Sequence, residues 1–209
     1  MSVQIETACK AGVPWIQLRV KDKPINQWIQ DAEEAKIICD AHSVALIIND
    51  SPEIAQRVKA DGVHLGSKDM PVAEARKFLG RDFIIGATAN SMFDLLRLAE
   101  MEIDYIGLGP FRFTNTKKDL SPVLGLSGIR DRMASLWRIK GHSPIPVVAV
   151  GGINKSDITE LMKTGIHGVA VSSSINLNVD PEKDVRDFIN LLNHHCRMTQ
   201  PLISVNSGE

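Results

Sequence analysis

Short apolar, β-branched runs recur along this chain, each followed by a longer amphipathic one, and that alternation restricts the fold more than any other feature. The strand candidates are Trp15 to Val20, Ala45 to Asn49, Gly62 to Leu65, Phe83 to Ala87, Tyr105 to Leu108, Val147 to Val150 and Gly168 to Val171. Between them lie helical patterns such as Ile25 to His42, Val72 to Leu79, Met92 to Met101, Lys155 to Thr164 and Glu182 to His194. Ser51-Pro52-Glu53 reads as a helix start, with a capping hydroxyl, proline at the first helical position and an acid in the first turn. Asn154-Lys155-Ser156-Asp157 reads as another, and Gly80 and Gly165 sit where helices should stop. Strand then helix, repeated about seven times, is the pattern of parallel βα units, and near-continuous apolar strands imply a sheet covered on both faces.

In a chain of 209 residues this regular spacing predicts one domain and favours a closed TIM (β/α)8 barrel over an open doubly wound sheet. No GxGxxG follows the first strand, which argues against a dinucleotide-binding sheet. The count is one strand short. Ser2 to Gly12 reads as the end of a first helix with no strand before it, so the expected barrel lacks the usual first strand. The barrel domain is expected over residues 1–200, followed by a strand-like tail, 201–209. The position after the last helix of a closed barrel is that of strand one, so Leu202 to Val205 is expected to fill the gap.

A formal net charge of −1 provides no global field for nucleic acid or an acidic membrane, so any anion must be held by local clusters. No apolar run is long enough to span a bilayer, and the start, Met1-Ser2-Val3-Gln4-Ile5-Glu6, lacks the regions of a signal peptide. Cys9, Cys39 and Cys196 are far apart and odd in number, as expected of reduced thiols in a cytoplasmic protein.

In a barrel, chemistry sits where strands finish, and here the strand ends are polar. Gln17, Arg19 and Lys21 alternate, which puts all three on one strand face; turned inward, they need an anionic partner. Asn49-Asp50 ends the second strand, and Asp69 follows the third. Two carboxylates on neighbouring strand ends can share a hard cation such as Mg2+, although both also precede helices and could cap them. His64 reads as a packed or hydrogen-bonded strand residue. Thr88, at the end of the fourth strand, offers a hydroxyl to substrate or to its own loop.

The fifth strand opens through Gly-Leu-Gly-Pro into Phe111 to Pro122, a loop too long for a minimal βα turn and carrying Thr114, Thr116 and Lys117. Gly151 and Gly152 after the sixth strand, with Ser172 and Ser173 after the seventh, suit a phosphate held by backbone N–H groups and hydroxyls. Two anion centres emerge. Arg19, Lys21, Asn49 and Lys117 with a metal form one; the glycines and serines form the other. A transferase joining a diphosphate ester to a phosphorylated acceptor needs both.

These pieces resemble the thiamine phosphate synthase family of TIM-barrel type. The matching segments are Gln17-Leu18-Arg19-Val20-Lys21, Ile48-Asn49-Asp50, Asp61 to Gly66 with Asp69, Tyr105 to Pro110, Thr114 to Lys117, Val150 to Ile153 and Gly168 to Ser173, in family order. The resemblance implies that a pyrimidine-methyl diphosphate loses diphosphate and that a thiazole phosphate captures the carbocation. It places Gln17, Arg19, Lys21, Asn49 and Lys117 around the diphosphate substrate and assigns Mg2+ to Asp50 and Asp69. The family serine that contacts the pyrimidine falls at Thr88, a departure that keeps the hydroxyl. Thr114, Thr116, Gly151, Ser172 and Ser173 match the thiazole-phosphate site. The partners implied are small molecules, and a homo-oligomer is compatible with all of this. A relative that isomerises the thiazole phosphate would not need Lys21, Asn49, Asp50, Asp69 and Lys117. A barrel that binds thiazole phosphate without turnover is the remaining alternative.

Overall fold

The computed structural model describes residues 1–113, 122–140, 145–176 and 178–199. Seven parallel strands lie side by side in chain order: β1 (Trp15–Leu18), β2 (Ala45–Asn49), β3 (Gly62–Leu65), β4 (Ile84–Ala89), β5 (Tyr105–Leu108), β6 (Val147–Val150) and β7 (Gly168–Ala170). Helices α1 (Ser2–Lys10), α2 (Ile25–Ala41), α3 (Pro52–Arg57), α4 (Val72–Leu79), α5 (Met92–Leu98) and α6 (Gly125–Lys140) come first. A 3₁₀ turn (Lys155–Asp157), α7 (Ile158–Met162), α8 (Ser173–Asn176) and α9 (Pro181–Thr199) complete the series.

The alternation of side chains along each strand divides the core in two. Ile48, Val63, Ile85, Ile106, Leu108, Val147 and Ala149 are buried beneath a shell of helix residues that includes Ala35, Cys39, Ala55, Ala75, Leu95, Ile129, Met133 and Leu161. Each large aliphatic side chain enclosed this way contributes about 1.5–3 kcal/mol of transfer free energy. The other row faces the sheet interior. Asn49, His64, Gly86 and Tyr105 are in register across β2 to β5, and Trp15 stacks obliquely on Tyr105. Local signals hold the helix ends. The Ser51 hydroxyl accepts from the Ile54 N–H with Pro52 in the first turn, and Ser91 and Asp94 cap each other at α5. Gly80 ends α4 at φ +85°.

The architecture is the parallel, curled α/β sheet of TIM-like folds. The ladder runs from β1 to β7, and among the described residues no strand joins those two edges. The segment Leu202 to Val205 and the tail 201–209 lie outside the described residues. Three strands differ from expectation: β1 stops at Leu18, not Val20, β4 runs from Ile84 to Ala89 rather than from Phe83 to Ala87, and β7 stops at Ala170, not Val171. Arg19 and Lys21 therefore do not extend a strand face; they stand in the segment after β1, where Asp22 turns the chain at φ +58°. The α6 helix, outlined by buried Ile129, Met133 and Leu136, was not delimited from the sequence. Cys9 and Cys39 are buried free thiols, and burial pushes the Cys39 thiol up to about 12. No helix among the described residues is long and apolar enough to cross a membrane.

Candidate active site

A cavity of about 730 Å³ opens at the C-terminal ends of the strands and continues between β1 and β7 against α1 and α9. Its mouth has two chemically different sides. On one, the ends of β1, β2 and β3 form a chain of polar side chains. Gln17 Nε2 donates to Asn49 Oδ1 at 2.5 Å, Asn49 Nδ2 donates to Asp50 Oδ1, and Lys21 Nζ pairs with Asp50 Oδ2. Asp50 follows β2 at φ +72°, a left-handed conformation that Asp tolerates better than most residues. Ser51 caps α3, so the Asp50 carboxylate is not consumed as a cap.

Asp69 is not a cap either, because Pro71 occupies the N-cap position of α4. Its Oδ2 accepts from the Gly66 N–H at 2.6 Å, fixing the carboxylate across the short loop after β3. Burial pushes the Asp69 carboxyl upward, the Gly66 N–H opposes this, and the neighbouring Asp50 raises it further. Two partly enclosed carboxylates that repel each other suit a hard divalent cation that takes one or two carboxylates and completes its shell with phosphate oxygens and water. No group of three or more His, Cys, Asp or Glu suited to a metal occurs among the described residues. The donor set fits Mg2+ held jointly with a ligand's phosphates rather than in an all-protein cage. Arg19, exposed at the rim, lines the same cavity.

The opposite side is built from backbone. Gly151 and Gly152 follow β6 at φ +95° and +66°. A Cβ on Gly151 would come 2.9 Å from Pro110 Cβ, and one on Gly152 would come 2.9 Å from Arg112 Cβ, so only glycine meets both the conformation and the space. Their carbonyls are occupied: Arg112 N donates to Gly151 O at 2.9 Å, and Arg112 Nη1 donates to Gly152 O. The same guanidinium forms a two-pronged pair with Asp157, both contacts at 2.9 Å, which holds the Asp157 carboxyl below its usual range. Ser172 and Ser173, where β7 passes into α8, complete this side; Ser172 Oγ accepts from Asn176 Nδ2 at 3.3 Å.

Between the two sides lies Thr88, whose hydroxyl meets His64 Nε2 at 2.9 Å. His64 is only 7% exposed. Just beyond, Asn90 lines the cavity and donates from Nδ2 to Gly109 O.

The fold thus gathers Gln17, Arg19, Lys21, Asn49, Asp50, Thr88, Gly151, Gly152, Ser172 and Ser173 around one cavity, with Asp69 beside Asp50. Thr114, Thr116 and Lys117 lie outside the described residues. Asn90 and Tyr105 receive no role from the sequence, and Arg112 figures there only as part of the loop Phe111 to Pro122. Asn90 carried a readable signal, since it stands two positions past Thr88 and so shares its side of the β4 end. The pairing of Arg112 carried none, because its partner Asp157 is 45 positions away.

A family model described as thiamine monophosphate synthase matches residues 2–175. A thiamine-phosphate synthase of Phocaeicola vulgatus is 46% identical over 184 residues, covering 88% of each chain. One from Flavobacterium johnsoniae is 47% identical over 171 residues, 82% of this chain and 80% of that one. Among solved structures, a thiamine phosphate pyrophosphorylase from Pyrococcus furiosus superimposes with a TM-score of 0.80 at 29% identity, covering 93% of this chain and 90% of its own. A 3-hexulose-6-phosphate synthase at 13% identity and a TM-score of 0.62 shares the fold.

Proposed function

The chain belongs to the thiamine monophosphate synthase family, a transferase of thiamine biosynthesis, and from that premise we propose that it couples a pyrimidine-methyl diphosphate to a thiazole phosphate. The C–O bond to the diphosphate breaks with its electron pair on oxygen, and the thiazole nitrogen then donates its lone pair to the exposed methylene carbon. Thiamine phosphate and diphosphate leave. The supporting observation is the meeting, at one cavity mouth, of a charged side that suits a diphosphate with its metal and a backbone-lined side that suits a phosphate monoester.

Arg19, Lys21 and Asn49, with Lys117 from the chain segment after β5, are the proposed ligands of the diphosphate, and Gln17 orients Asn49. Charge grows on the leaving oxygens as the bond breaks, so fixed cations there stabilise the transition state more than the bound substrate. Asp50 and Asp69 are the residues that would hold Mg2+; when bound, the ion supplies further neutralisation of the diphosphate oxygens. Gly151, Gly152, Ser172 and Ser173, with Thr114 and Thr116, fix the thiazole phosphate, whose charge does not change in the reaction. The proposed roles require no side-chain nucleophile. Positioning and electrostatics carry the rate, and excluding water protects the cation from capture as an alcohol. We read the seven strands as positions two to eight of an eight-stranded barrel whose remaining position lies between β1 and β7.

The test is incubation of the purified chain with both substrates and Mg2+. One thiamine phosphate and one diphosphate per turnover is the expected result. Isomerisation of thiazole phosphate without coupling would replace this reading with that of a tautomerase-like relative.

A further inference from the structure

Beneath Thr88 the sheet interior holds a hydrogen-bonded line that the chemistry above does not use. The Tyr105 hydroxyl lies 2.9 Å from His64 Nδ1, and His64 Nε2 lies 2.9 Å from Thr88 Oγ1. Three strands supply the three groups, and the register fixes them: His64 is beside Gly86, Gly86 beside Tyr105, and Thr88 beside Gly107. The two glycines make the room. A Cβ on Gly86 would fall 2.1 Å from the Tyr105 ring, and one on Gly107 would fall 2.9 Å from His64 Cε1. Trp15 closes the other side, its ring centre 5.1 Å from that of Tyr105. The His64 and Tyr105 rings are both under one-tenth exposed, and the close packing leaves them little space to turn.

We propose that Tyr105 and His64 are positioning residues that fix the Thr88 hydroxyl as a donor into the cavity, so that the site selects a ring carrying an acceptor atom at that point. A neutral imidazole has one N–H and one acceptor nitrogen, so the line has two self-consistent polarities. In one, the phenol donates to Nδ1, Nε2–H donates to Thr88, and the Thr88 proton points outward. In the other, Thr88 donates inward, Nδ1–H donates to the phenol oxygen, and the buried phenol proton needs a further acceptor. His64 is the hydrogen-bond partner that the Tyr105 hydroxyl has among the described residues, so the second polarity strands a buried donor. Burial also keeps the phenol protonated. The first polarity therefore prevails. A Thr88 hydroxyl whose proton is directed into the cavity discriminates by leaving that donor unpaired against a ring that lacks the acceptor.

This inference rests on the proposed coupling reaction for the identity of the ring, but its primary readout does not. Long-range 1H–15N correlation on the full chain labelled at histidine reports the tautomer directly, with the His64 signals identified by their loss in His64→Gln. The expected result is a bare Nδ1 and a protonated Nε2. Tyr105→Phe should lose that single tautomer. It should also raise KM for the pyrimidine diphosphate about 3–10-fold, leaving KM for thiazole phosphate and the saturated rate little changed. Thr88→Ser should bind the pyrimidine diphosphate like the parent, whereas Thr88→Val should weaken it about tenfold. A protonated Nδ1 in the parent, or an unchanged tautomer and unchanged KM in Tyr105→Phe, overturns the inference. A chain that makes no thiamine phosphate yet shows the Nε2–H tautomer defeats the coupling reading instead.

Discussion

The two sides of the cavity mouth are built by different means. On the side of β1, β2 and β3, charged and amide side chains are linked in series from Gln17 through Asn49 to Asp50 and Lys21, with Asp69 alongside. On the side of β6 and β7, backbone forms the wall, as two glycines at positive φ whose carbonyls are taken up by Arg112. The difference matches the chemistry proposed for each. A diphosphate gains charge as it departs, so its ligands must be able to stabilise that gain. A phosphate monoester that only anchors its substrate needs a rigid cradle. Substitutions on the first side should therefore reach the rate, and those on the second should reach affinity.

The largest effect expected is on the charged side. Asp50→Ala or Asp69→Ala should lower kcat in the Mg2+-supported assay by about 10²-fold or more while leaving the circular dichroism spectrum unchanged. Equal rates would remove that side from the chemistry. Lys117→Ala should follow, lowering kcat by about 10–100-fold while weakening thiazole-phosphate binding less. The reverse order would move Lys117 to the other side.

Arg112→Ala should raise KM for thiazole phosphate by about tenfold with a smaller change in kcat, because Gly151 and Gly152 lose their clamp. Arg112→Lys should recover little of it, since one ammonium cannot grip Asp157 with two prongs and reach Gly152 as well. Full recovery by lysine would reduce the clamp to simple charge. The clamp's dependence on pH has a definite sign. The folded-state pKa of Asp157 is depressed, so the stability it contributes is present above the usual carboxylate range and is lost only as pH falls through the lower folded value. Thermal melts between neutral pH and pH 5 should show no loss traceable to Asp157, by comparison with Asp157→Asn. Ser173→Ala should be mildest, raising KM for thiazole phosphate about 3–10-fold. A large effect confined to the pyrimidine substrate would place Ser173 on the wrong side.

Local chemistry was legible where it depends on neighbours in the chain. Apolar β-branched runs such as Ala45 to Asn49 and Gly62 to Leu65 announced strands at their observed bounds, and Ser51-Pro52 announced its helix. Both sides of the cavity mouth were likewise visible as polar strand ends in a repeated βα pattern. What the sequence concealed depends on distance or on torsion. β1 looked longer than it is, because alternation continues through Arg19 and Lys21 although the chain has already left the sheet. The positive φ of Asp50 has no local marker. The Arg112–Asp157 clamp and the Tyr105–His64–Thr88 line each join residues more than 20 positions apart, the first through the segments that follow β5 and β6 and the second through the register of β3, β4 and β5.

The division of labour between the two sides is tested most directly by following the C–O bond itself. A pyrimidine-methyl diphosphate carrying 18O in the bridging position is incubated with Mg2+ and an inert analogue of the thiazole phosphate. Reversible cleavage then moves the label into non-bridging oxygens, which phosphorus NMR reads. The expected result is scrambling by the parent chain, strongly reduced in Asp50→Ala and retained in Ser173→Ala. Undiminished scrambling in Asp50→Ala, with loss in Ser173→Ala, would contradict it.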